Sequence, residues 1–225
     1  ILPVRPWPSQ ALISQTELAL VDTACNTEVR SIALKNLLSY SFNQQLSGAW
    51  KFEALNGRSD GARNAESYTT SVRLDYLFDA HSYVFGDLGW HKDTFSGIDS
   101  QPMPGGYGYR FLTGPVHTLA GEIGLNYVTE EYTDDTDRNY LRGRAFAKYG
   151  YAFSEKSRFS QSLEYLYDFD EATNYNLISE TALISALNSS LSFKGSYLIK
   201  YDNQPVPATL DRTDTLLSLA LVANF

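Results

Sequence analysis

The only imidazoles are His81, His91 and His117. A hydrolase that builds its His–Ser pair on one β-strand needs the Ser two residues after the His, because side chains two apart share a face and the His can then take the hydroxyl proton. His81 has Tyr83 at that spacing, His91 has Asp93 and His117 has Leu119, so no catalytic residue is assigned, and a lipid-modifying enzyme with a triad drawn from several strands is the least favoured reading. Glu130-Glu131 with Asp134-Asp135-Thr136-Asp137 gathers oxygen ligands of the kind a hard divalent cation takes. It lacks the glycine turn and closing bidentate Glu of a calcium loop, and reads as a solvated acidic link; no metal or other cofactor is expected. Pro104-Gly105-Gly106-Tyr107-Gly108 is followed by no helix and is not a phosphate cradle. The single cysteine, Cys25, leaves a lone thiol in a predicted link and excludes an intramolecular disulfide framework.

More chemistry lies in charges that recur at every second position. Arg142, Arg144 and Lys148 oppose Leu141, Ala145, Ala147, Tyr149 and Tyr151, and Arg158 and Glu164 oppose Phe159, Leu163, Tyr165 and Tyr167. Lys51 and Glu53 oppose Trp50 and Phe52; Arg73 and Asp75 oppose Val72, Leu74 and Tyr76. The same parity adds Glu17, Lys35, Asp87, Arg110, Glu122, Glu180, Lys194 and Lys200. A helical period of 3.6 would put these charges on the apolar stripe, so the carriers are strands with one greasy and one wet face. Gln161 is the exception on the apolar side of its segment.

No stretch approaches the roughly 18 to 20 apolar residues of a membrane helix, so spanning falls to strands closed into a barrel. The 16 Tyr, 12 Phe and 3 Trp among 225 residues suit a membrane interface, where an apolar ring carries a polar tip. About twelve segments alternate in this way, near 11–21, 29–42, 46–55, 66–78, 82–92, 105–112, 116–128, 139–153, 157–169, 175–187, 190–201 and 213–225. The expected fold is all-β: a transmembrane antiparallel up-and-down β-barrel of about 12 strands, with residues 11–225 in the barrel and residues 1–10 an extended tail around Pro6-Trp7-Pro8. Links such as Asn43-Gln44-Gln45, Asp79-Ala80-His81 and Asn188-Ser189 are short and suit periplasmic turns. The links at 22–28, 56–65, 93–104, 129–138, 170–174 and 202–212 are longer and charged, and suit the extracellular side. The N-terminus lacks the charged start and apolar core of a secretory signal, so the chain reads as processed.

The run His91-Lys92-Asp93-Thr94-Phe95-Ser96-Gly97-Ile98-Asp99, with Gly105-Gly106-Tyr107-Gly108-Tyr109-Arg110 after it, resembles domain-of-unknown-function family 481, the YdiY-like putative salt-induced outer membrane proteins. Glu17-Leu18-Ala19-Leu20 with Asn26-Thr27, Lys51-Phe52-Glu53-Ala54, and Tyr201-Asp202-Asn203-Gln204-Pro205 with Asp214-Thr215 agree in the same order. Ala24-Cys25 stands where the family usually reads Ser-Gly, and Pro102-Met103-Pro104 interrupts the approach to the Gly-Tyr-Gly-Tyr segment. The resemblance implies an outer membrane barrel and assigns no activity.

In a barrel of about twelve strands the lumen is narrow, so the inward charges either pair and fill it or line a thin wet path. Arg142, Arg144, Lys148 and Arg158 suggest a basic wall that favours an anionic solute, and a salt-bridged plug, with arginines such as Arg142 and Arg144 paired to carboxylates such as Glu164 or Glu122, is the competing arrangement. The expected surroundings are outer membrane lipid and lipopolysaccharide. A net charge of -8 argues against nucleic acid as a partner, and none is expected.

Overall fold

A computed structural model describes residues 12–24, 29–59, 62–94, 98–132, 137–205 and 211–225. Cys25, the tail before residue 12 and Asp134-Asp135-Thr136 lie outside them. The regular elements among the described residues are strands: β1 (Leu12–Ala24), β2 (Val29–Ser41), β3 (Leu46–Ser59), β4 (Ala62–Leu77), β5 (Ser82–Asp93), β6 (Ile98–Thr113), β7 (His117–Tyr132), β8 (Asp137–Ala152), β9 (Ser157–Asp168), β10 (Tyr175–Ala186), β11 (Leu191–Asp202) and β12 (Thr213–Asn224). Each pairs antiparallel with its neighbours in sequence, and β12 returns to pair with β1, so the barrel is closed. No strand edge is left open, the condition a sheet must meet to sit in hydrocarbon.

Register carries one parity around the wall, because residues directly opposite each other in an antiparallel pair share a face. Glu17 faces Lys35, Lys35 faces Glu53, Glu53 faces Thr69 and Thr69 faces His91. The two parities have opposite fates. On β12 the outward Leu219 and Leu221 are 51% and 49% exposed, whereas Ala220 and Val222 between them are 2% exposed. Large apolar side chains outside and small or charged ones inside invert a globular core, as a lipid solvent requires.

One end of the barrel is closed by a repeated device. In four of the five links there, a short polar side chain caps the turn: Asn43, Asp79, Ser154 and Asn188 each accept bonds from the backbone N–H groups two and three residues on. The preceding Phe42, Phe78, Phe153 and Leu187 each donate their N–H back across the turn. Short polar side chains favour such turns because they imitate a backbone carbonyl.

At the opposite end the strands run further than alternation indicates. β3 reaches Ser59 and β4 starts at Ala62; β6 starts at Ile98; β7 reaches Tyr132 and β8 starts at Asp137. The links expected at 56–65, 93–104 and 129–138 are therefore mostly ladder, since polar strand ends that overhang the apolar belt lose the alternating signal while keeping their backbone pairing. Pro102 and Pro104 do not stop β6: they stay in register with Val128 and Asn126 of β7. The cost falls on the other side, where β5–β6 pairing lapses between Gly86–Gly105 and His91–Ser100, because proline has no N–H to give. Further along, Gly106 faces Gly124, and a Cβ on either would run into backbone of the other strand. Only glycine permits this β6–β7 approach.

Candidate functional site

The inward charges sort into three groups. The first is an arch over β4, β5, β7, β8 and β9, centred on Glu122, whose side chain is 1% exposed. Arg73 Nη2 lies 2.7 Å from Glu122 Oε1 and 2.7 Å from Asp75 Oδ1, while Arg144 Nη1 lies 2.8 Å from Glu122 Oε2 and its Nε 2.5 Å from Glu164 Oε1. The Tyr83 hydroxyl donates to Glu122 Oε1 at 2.8 Å. Contact between β4 and β7, which are not adjacent, is possible only through the lumen. The arch stands on an aromatic floor: the guanidinium carbons of Arg73 and Arg144 lie 4.3 and 5.5 Å from the centre of the Phe85 ring, and Arg144 is also 5.0 Å from Phe146. Arg110 stacks on Tyr83 at 5.4 Å. Two guanidiniums on one buried carboxylate, each with a second acid, satisfy the polar groups that make an ion pair tolerable away from bulk water.

The second group bridges β1, β10 and β11, with Lys194 Nζ 3.2 Å from both Glu17 and Glu180. Lys51 and Glu53 pair at 2.8 Å on β3. The third group is cationic: among the described residues Lys35, Lys148 and Arg158 have no carboxylate within 4 Å. Arg142 stacks on Tyr140 at 4.6 Å. Of the four residues read as one basic wall, Arg144 is thus held by two acids, Arg142 lies against a ring, and Lys148 and Arg158 have no carboxylate within 4 Å among the described residues.

The histidines occupy three settings. His91 faces inward with Nδ1 2.8 Å from Thr69 Oγ1. His81 stacks on Tyr109, and His117 stacks on Tyr149 and Tyr151 with its Nδ1 2.8 Å from the Tyr149 hydroxyl. In the turn that carries His81, the backbone N–H groups of His81 and Ser82 hold the Asp79 carboxyl below its ordinary range. Among the described residues no group of three or more His, Cys, Asp or Glu converges as a metal site. Gln161 faces outward as its parity demands and is satisfied locally, donating to Ser179 Oγ and accepting from Thr181 Oγ1. On the same outer surface Gly143 and Ala145 floor a groove of about 590 Å³ between Tyr107 and the rings of Tyr165 and Tyr167, on the far side of the wall from the charges.

The family described as "Protein of unknown function, DUF481" matches residues 16–225. The chain belongs to that family. The uncharacterized protein YdiY of Escherichia coli (strain K12) is 26% identical over 197 residues, a span covering 87% of this chain and 76% of YdiY. The NanC porin superposes with a TM-score of 0.65 at 6% identity, covering 92% of this chain and 98% of the porin. An outer membrane channel from Pseudomonas putida F1 superposes with a TM-score of 0.58 at 10% identity, covering 97% of each chain. Identities this low show a shared fold alone, that of bacterial outer membrane barrels.

Within this member of the family the arch depends on Tyr83 and Phe85, which parity reading passed over. Their signal is present: Tyr83, Val84 and Phe85 are apolar on both parities at the start of β5, where one face should be wet. Apolar residues on both faces of a barrel strand mark a place where the lumen is filled.

Proposed function

We propose that the protein is an outer membrane channel with a narrow lumen that admits small solutes and prefers anions. The carrying observation is the set of inward cations, Lys35, Lys148 and Arg158, with no carboxylate within 4 Å among the described residues, beside an arch in which Arg73 and Arg144 are already neutralised. Fixed positive charge facing a thin water-filled path raises the local anion concentration, and low-dielectric walls focus that field. The likeness to solved porins and channels supports the reading at the level of fold.

The test is reconstitution in a planar bilayer under a salt gradient. The intact protein conducts with a reversal potential on the anion side, and Lys148→Gln with Arg158→Gln moves that potential toward zero while leaving heat-modifiable gel migration unchanged. The arch favours a second reading, a closed structural barrel. Absence of conductance in the intact protein, in preparations where the barrel is folded, selects that reading and overturns the channel.

A further inference from the structure

The inward cations that lack an ion-pair partner differ in what stands beside them. Lys35 on β2 lies between Glu17 of β1 and Glu53 of β3, so acids flank it on both sides of the ladder. The cations of β8 and β9 have other neighbours. Lys148 lies between Ala120 of β7 and Ser162 of β9, and Arg158 between Ala152 of β8 and Ile184 of β10. Arg142 does face a carboxylate, Asp168, but that group is taken. Its Oδ1 accepts the Asp170 N–H at 2.9 Å, and its Oδ2 accepts from Asn174 Nδ2 at 3.1 Å and Arg138 Nη2 at 3.3 Å. Among the described residues none of Arg142, Lys148 and Arg158 has a carboxylate within 4 Å. Arg144 shares their face but is held by Glu122 and Glu164, and so drops out of the set.

These three cations form a file. Arg142 and Lys148 are six residues apart on β8, and Arg158 sits opposite Ala152, four residues beyond Lys148. With a rise of about 3.3 Å per residue and a strand tilt near 40°, the steps are roughly 15 and 10 Å along the barrel axis. Arg142 is steadied by stacking on Tyr140, 4.6 Å from the ring centre. Between Lys148 and Arg158 the inner face carries only Gly150, Ser160 and Ala152, so the wall there stays low. A Cβ at Gly150 would lie 2.5 Å from Thr118 Oγ1, which keeps that position small. Ser162 and Ser160 add hydroxyl donors beside the two cations.

A compact anion bridges neither step and meets one station at a time. A linear molecule with many acidic groups engages all three together, and each further contact is made at the effective concentration set by its own length. We infer that the β8–β9 wall is a binding track for an extended polyanion, a thin chain of acidic groups that lies along the barrel axis over Arg142, Lys148 and Arg158. The inference rests on the proposed anion-preferring lumen and specifies the shape of its solute.

The test compares inorganic phosphate with a linear polyphosphate long enough to cover the file, titrated calorimetrically into the folded barrel in detergent micelles at fixed ionic strength. Polyphosphate binds the intact protein at least about 100-fold more tightly per molecule than phosphate. Arg142→Gln, Lys148→Gln and Arg158→Gln each weaken polyphosphate about tenfold in barrels that keep heat-modifiable migration. Lys156→Gln, in an exposed turn, leaves its affinity unchanged. No binding of polyphosphate, an affinity per phosphate that does not rise with length, or a loss for Lys156→Gln equal to that for Lys148→Gln overturns the track. The dependence on length is read in the intact protein, so the test survives a variant that fails to fold. Length-dependent binding in a barrel that does not conduct defeats the channel and keeps the track, and anion-selective conductance without length-dependent binding does the reverse.

Discussion

Glu122 carries more of the lumen than any other side chain, since both arginines of the arch and the Tyr83 hydroxyl meet on its two oxygens. Glu122→Gln removes the charge while keeping the shape, leaving Arg73 with Asp75 alone and Arg144 with Glu164 alone. Each guanidinium keeps one acid but loses its charge-assisted hydrogen bond to the most buried carboxylate, so equilibrium unfolding in lipid should show a loss of about 2 kcal/mol. A loss within the error of the measurement would mean that water reaches the arch freely. The inward side of Glu122, Arg73 and Arg144 was legible in the sequence, because parity alone assigns it. The pairing of Arg144 with Glu122 and Glu164 is the one the plug arrangement names, whereas the meeting of Arg73 with Glu122 was not legible. Arg73 and Glu122 are brought together by the curvature of the closed barrel across strands that do not touch, and no local pattern encodes that distance.

At the scale of the element, the turns show how one short side chain sets a hairpin. The caps at Asn43, Asp79, Ser154 and Asn188 were visible as polar residues in short links, and the structure adds that each serves two backbone N–H groups. Asp79 is the one that titrates. Its folded pKa lies below its ordinary value of 3.8, so the stabilisation it gives is present above that value and is lost as pH falls through the lowered folded value. Amide exchange of His81 and Ser82 should therefore be slow at neutral pH and quicken below about pH 4, relative to the trend of other turn amides. Asp79→Asn keeps the acceptor and should flatten that response. The strand faces obey the same economy. Leu219, mid-strand and outward, should cost about 2–4 kcal/mol when changed to Arg, read as a lowered unfolding midpoint in lipid. An equal cost for Ser218→Arg on the inner face would contradict the assignment of sides. The overhanging ends of β3, β4, β6, β7 and β8 escaped the sequence because an exposed ladder above the belt has no apolar face to reveal it. The passage of β6 through Pro102 and Pro104 escaped for a different reason: proline forbids one ladder bond, and the strand keeps its other neighbour.

For the whole molecule, length, aromatic content and period-two alternation bounded the architecture closely, because a chain with no membrane-length helix among its described residues and an apolar face on its strands has a single way to satisfy its backbone in lipid. Likeness to porins agrees with that bound and adds no solute. Closure has a further consequence. Eleven of the twelve ladders join strands that follow one another, each through a short link, while the twelfth joins β1 to β12 across nearly the whole chain, with Ser14 and Phe225 exchanging backbone bonds at its end. Bringing together ends about twenty times further apart along the chain adds roughly 3 kcal/mol of ordering entropy to that one step. Hairpins can therefore zip in any order, but the ring is completed once and late. Until then the nascent sheet carries two raw edges, at Leu12–Ala24 and Thr213–Asn224, each able to pair with the wrong molecule. The window of hazard in this protein's assembly is the interval before its first and last strands find each other.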